Sequence, residues 1–187
     1  MVTATPPLDA DGHLYVFGYG SLIWRPGFVH LAAMPALLRG FHRRFCLWSH
    51  RYRGTPEVPG LVLGLDRGGA CRGVVFRVAA AEAGQVLAYL DARELPDGLE
   101  IVYDRRVLPV RLRGAAQPVQ AVTYVARRAS RHYCGRLAPE TAAGIIARGR
   151  GETGSNREYL MNTLAHLAAL GMRDGALTRI AALLPPE

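Results

Sequence analysis

His13-Leu14-Tyr15-Val16-Phe17-Gly18-Tyr19-Gly20-Ser21-Leu22-Ile23-Trp24 is an apolar run that breaks on a pair of glycines. Residues 14–17 are apolar without alternation, as in a short strand buried on both faces. Gly18 and Gly20 then permit backbone angles in which successive N–H groups point one way. Such a nest suits a carboxylate or an oxyanion, and Ser21 adds a hydroxyl. The same glycines also suit a tight turn that serves only the fold. A dinucleotide-binding fold would need a third glycine opening a helix and an acidic residue about 20 positions on. Ile23-Trp24-Arg25-Pro26 follows instead, so that architecture is excluded.

Working outward, alternation and β-branched content predict further strands at 40–48, 60–66, 71–78, 101–112 and 119–126. A helix is predicted from 81 to about 94, stopped by Pro96, and another opens at Pro139-Glu140. Ser155-Asn156-Arg157-Glu158 is a capping box in front of Leu160, Leu164, Leu167 and Leu170 at helical spacing, closed by Gly171. Asp174 caps a last helix through 184. Six strands with a helix inserted after the fourth, then a helical tail, give an α+β fold. Its core is a small, mostly antiparallel sheet or barrel flanked by helices. We expect one domain over 1–187, with 1–12 as a flexible N-terminal segment.

The composition narrows the function. A chain of 187 residues with 50% hydrophobic content can bury a real core. Residues 1–8 lack the basic start and apolar core of a signal peptide, and the longest apolar stretches fall far short of the ~20 residues of a membrane span. A cytoplasmic protein without a membrane partner is expected. Cys46, Cys71 and Cys134 are too widely spaced for a disulfide framework or zinc motif, and the six histidines show no ligand spacing, so no metal is expected. The net charge is +8 and all 23 basic residues are arginine. Without lysine there is neither a phosphate-loop lysine nor a Schiff base. No nucleic-acid motif accompanies the arginine clusters, although an arginine-rich barrel binding RNA or an acidic partner without catalysis stands as an alternative.

The inserted helix carries the most informative residue. At about 100° per residue, Ala83, Leu87, Leu90 and Glu94 share one stripe, which places a carboxylate where a core side chain belongs. Burial and the negative end of the helix dipole both raise the pKa of such a group, as a general base requires. A frayed helix end would instead leave Glu94 in solvent or paired with an arginine. Asp91, at the edge of the stripe, reads as solvated or capping.

Five motifs together resemble the ChaC-like γ-glutamylcyclotransferases. They are the stretch 16–24 above, Tyr52-Arg53-Gly54-Thr55-Pro56-Glu57-Val58-Pro59-Gly60, Arg72-Gly73-Val74-Val75-Phe76-Arg77-Val78, Tyr89-Leu90-Asp91-Ala92-Arg93-Glu94 and Gly154-Ser155-Asn156-Arg157-Glu158-Tyr159-Leu160. The resemblance implies a closed barrel-like core and a lyase that degrades glutathione to 5-oxoproline and cysteinylglycine, without metal or organic cofactor. It implies Glu94 as the catalytic acid/base, Tyr19, Gly20, Ser21 and Leu22 as the bed of the γ-glutamyl group, and Tyr159 as a wall of the pocket. Other γ-glutamyl amines or dipeptides are the alternative substrates, and the oligomeric state is left open. Ser21 is no acyl-transfer nucleophile, because Ile23 stands where the nucleophile elbow needs glycine. Between Glu94 and Tyr103 the chain departs from the family's shorter, glycine-containing turn, with Tyr103 as the matching aromatic.

Overall fold

A computed structural model of the chain describes residues 8–95 and 100–186. β1 (Leu14–Gly18) is buried along its whole length, as its unbroken apolar run demands. It pairs antiparallel with β3 (Gly60–Val78), in register from Leu14 opposite Val78 to Gly18 opposite Val74, and parallel with β5 (Val119–Ala126). β2 (Ala32–Ser49) pairs antiparallel with β4 (Tyr103–Leu112), with Ala36 opposite Leu112. The strands close into a barrel in the order β1-β3-β2-β4-β5.

Two of the predicted strands, 60–66 and 71–78, are one element. Gly68 and Gly69 take φ of +96° and +67°, angles a side chain would resist, and the strand bends through them without leaving the ladder. A glycine pair that reads locally as a turn is overridden by pairing on either side. β2 likewise starts at Ala32 rather than at 40 and runs through Gly40, whose φ is +83°.

The chain divides into two compact units, described separately here. The first comprises the described residues of 1–42 and 67–125. Its core joins Leu14, Val16, Val74, Phe76, Val78, Val122 and Tyr124 of the strands to Ala83, Val86, Leu87 and Leu90 of α1 (Ala83–Glu94). Gly73 lets β3 pass close to β1: a Cβ there would lie 2.4 Å from the Gly18 carbonyl oxygen. The segment before β1 falls partly outside the described residues. From Leu8 on, it forms a turn in which the Asp9 carboxylate accepts the N–H groups of Asp11 and His13.

The second unit comprises the described residues of 43–66 and 126–187. It holds α2 (Pro139–Arg148), a two-residue hairpin of β6 (Arg150–Gly151) and β7 (Gly154–Ser155), α3 (Asn156–Ala169) and α4 (Gly175–Ala182). The predicted caps form. Ser155 Oγ accepts the Glu158 N–H at 3.1 Å, and Asp174 Oδ1 accepts that of Leu177 at 3.1 Å. Gly171, at φ +67°, closes α3: its N–H reaches the Ala168 carbonyl and that of Met172 the Leu167 carbonyl, satisfying the last turn. Buried Asp66 is matched by Arg44, Arg128 and the Tyr133 hydroxyl. Among the described residues no helix is long and apolar enough to cross a membrane.

Candidate active site

α1 buries Ala83, Val86, Leu87 and Leu90, and Glu94 is its last residue on that line. Its side chain is 19% exposed, and burial pushes its pKa above the ordinary carboxylate value, against the opposing pull of Arg93. The two readings of Glu94 therefore hold at once: the carboxylate is withdrawn from water and paired with an arginine. The Arg93 Nε lies 3.2 Å from Glu94 Oε1.

The glycine turn is a single turn of 3-10 helix, Ser21–Ile23, tied by Ile23 N–H to the Gly20 carbonyl at 2.9 Å and by Arg25 N–H to the Ser21 carbonyl at 2.8 Å. The leading N–H groups of a helical turn have no carbonyl ahead of them to bond. Here they belong to Ser21 and Leu22. The turn folds back on its own strand because Gly18 has no side chain; a Cβ there would sit 3.0 Å from that of Leu22. Tyr19 is buried and Leu22 is part of the core, so Leu22 offers a ligand only its backbone.

One side chain joins the turn to Glu94. Arg93 Nη2 donates to Ser21 Oγ at 2.8 Å, and its Nη1 donates to the Arg25 carbonyl at 2.8 Å and to the Tyr89 hydroxyl at 3.2 Å. Sequence reasoning gave Arg93 no role, since a residue one step from Glu94 falls off the buried stripe and reads as surface.

Near Glu94 stands Tyr124 of β5, whose hydroxyl donates to Asp91 Oδ1 at 2.8 Å; Arg105 Nη1 meets Asp91 Oδ2 at 2.5 Å. Burial first, then Asp91 and the nearby charge of Glu94, push the ionisation of Tyr124 upward, so its phenol stays neutral. Asp91, 32% exposed, is thus not a side-chain cap; it ties α1 to Tyr124 of β5 and Arg105 of β4. Tyr103 packs on the same core. Residues 96–99 of the extended turn lie outside the described residues.

The structure brings Ser21 and Glu94 together through Arg93. Tyr159 belongs to the second unit, where it is buried edge-on to Phe45 with the Arg53 guanidinium 4.9 Å over its ring. Arg53 is itself held by the Thr153 and Ser155 carbonyls, whereas Arg51 is exposed beside Glu152 and Arg72 is exposed. For a metal, the described residues offer one grouping, Asp9, Asp11 and His13, whose ligand atoms lie within 4.8 Å of one another. Asp9 there already serves the turn before β1.

Comparison with known proteins bears on the family and the fold. The chain is 36% identical over 160 residues to the human glutathione-specific gamma-glutamylcyclotransferase 1, covering 83% of this chain and 71% of that protein. It is 31% identical over 173 residues to the glutathione-specific gamma-glutamylcyclotransferase of Escherichia coli, covering 89% and 71%. The crystal structure of a selenomethionine-labelled γ-glutamyl cyclotransferase specific to glutathione from yeast superposes with a TM-score of 0.83 at 24% identity, covering 92% of this chain and 96% of that one. The family profile for ChaC-like protein matches residues 14–185, and the chain belongs to the ChaC-like family.

Proposed function

We propose that this chain is a γ-glutamylcyclotransferase that cleaves glutathione to 5-oxoproline and cysteinylglycine, with Glu94 as the general acid/base. The observation that carries the proposal is a half-buried carboxylate at a helix end, joined through Arg93 to the 3-10 turn that follows β1.

The reaction asks little of the protein because nucleophile and electrophile share one molecule. Folding the γ-glutamyl group back brings its α-amine onto its own γ-carbonyl in a forming five-membered ring. The new C–N bond closes 5-oxoproline, and the old γ-amide C–N bond breaks to release the peptide amine. Holding that near-attack geometry supplies several of the roughly 7–11 kcal/mol available from orientation. Glu94 takes a proton from the ammonium and later returns one to the departing amine, both transfers favoured by a carboxylate whose pKa burial raises above the ordinary value. The N–H groups of Ser21 and Leu22 hold the α-carboxylate or the developing oxyanion, each donor worth about 3 kcal/mol in the transition state.

Two relatives, at 36% and 31% identity, carry names specific to glutathione, which favours that substrate over other γ-glutamyl compounds. Incubation with glutathione and no added metal is expected to release 5-oxoproline and cysteinylglycine in equal amounts. Glu94→Gln is expected to lose about a hundredfold or more of that activity with the fold retained, as read by circular dichroism. An unchanged rate in the variant would remove Glu94 from the mechanism. Faster cyclisation of γ-glutamyl amino acids or amines than of glutathione would reassign the substrate.

A further inference from the structure

We infer that Arg93 is a positioning residue that holds the acid/base carboxylate and the glycine turn at a fixed separation. The inference rests on the assignment of Glu94 above and extends it.

One planar guanidinium makes every connection. Nε faces Glu94 Oε1, Nη2 donates to Ser21 Oγ, and Nη1 donates to the Arg25 carbonyl and the Tyr89 hydroxyl. Three of these partners lie outside the glutamate, on the turn, just after it and one turn back on α1. An ion pair serving only the helix surface would need none of them. The consequences are chemical. Fixing Oε1 on the guanidinium leaves Oε2 to be presented to the substrate ammonium. A hydroxyl that accepts from a guanidinium keeps its own proton for another acceptor, so Ser21 is turned into a donor facing a bound anion. Lysine would keep the charge and lose the fork. Among the described residues, Tyr124 of β5 also feels the charge of Glu94, and its hydroxyl is committed to Asp91, which in turn holds Arg105 of β4.

The test compares Arg93→Lys and Arg93→Gln with the parent enzyme on glutathione across pH, alongside Glu94→Gln. Arg93→Lys is expected to lower kcat by about tenfold or more with KM within about threefold, because geometry rather than charge is lost. Its acid limb in kcat/KM stays in place. Arg93→Gln removes the cation that favours the carboxylate, so its acid limb moves to higher pH. Adding Ser21→Ala to Arg93→Lys is expected to cost less than Ser21→Ala alone, since the bond they share is already gone. Arg93 variants with kcat within about twofold of the parent and an unmoved limb overturn the inference. So does activity lost only in proportion to folded protein, measured by circular dichroism. If Glu94→Gln is inactive while both Arg93 variants are silent, only the role of Arg93 falls; if Glu94→Gln stays active, the assignment of the base falls and this inference with it.

Discussion

At the residue scale, burial sets how Glu94 holds its proton. Its folded pKa lies above the ordinary 4.5, so the folded state holds the proton more tightly than the unfolded chain does. That contribution is fully present below the ordinary value and is lost as pH rises through the folded one. Above that range the carboxylate is therefore a cost, even with Arg93 beside it. Glu94→Gln, neutral throughout, is expected to melt higher than the parent at pH 7, by roughly 2–4 °C for each kcal/mol recovered. The two melting curves should converge as pH falls below 4.5. A variant that melts lower at pH 7 would show that the ion pair outweighs burial. Glu94 could be found from the sequence because a helix of known phase carries its position with it. Arg93 could not, because its partners Ser21 and Arg25 are 72 and 68 positions away and only the fold brings them near.

At the element scale, the motif around Asn156 separates architecture from chemistry. Asn156 is buried, and its side chain both accepts the Leu61 N–H at 2.6 Å and donates to the Leu61 carbonyl at 2.8 Å, standing in for a missing strand neighbour at the start of β3. Asn156→Ala leaves two buried backbone groups unpaired, each costing about 1–3 kcal/mol. Ser155→Ala loses only the helix cap, about 1 kcal/mol. Chemical denaturation should rank them in that order, and near-equal losses would mean that water replaces the amide. The caps, the closing glycine and the register of the helices were legible because they are decided within a few residues. The continuity of β3 was not, because whether Gly68 and Gly69 end a strand or bend it depends on partners elsewhere in the barrel.

At the scale of the whole molecule, a net charge of +8 gives the chain an attraction for anions that no single residue accounts for. A γ-glutamyl tripeptide with two carboxylates and one ammonium is such an anion. Raising the ionic strength from about 0.01 to 0.15 M shortens the screening length from about 30 to about 8 Å. kcat/KM for glutathione is then expected to fall several-fold with kcat unchanged, as measured by initial rates at each salt concentration. A kcat that falls in parallel would place the salt effect on the catalytic site instead. By itself the sequence determined what is local or periodic: the buried strand, the glycine turn, the capped helices, and a carboxylate on the wrong face of a helix for solvent. Only the tertiary structure decided what that carboxylate meets, which strands are one, and how the barrel closes. Those outcomes depend on contacts between residues far apart in the chain, and neither spacing nor composition records them.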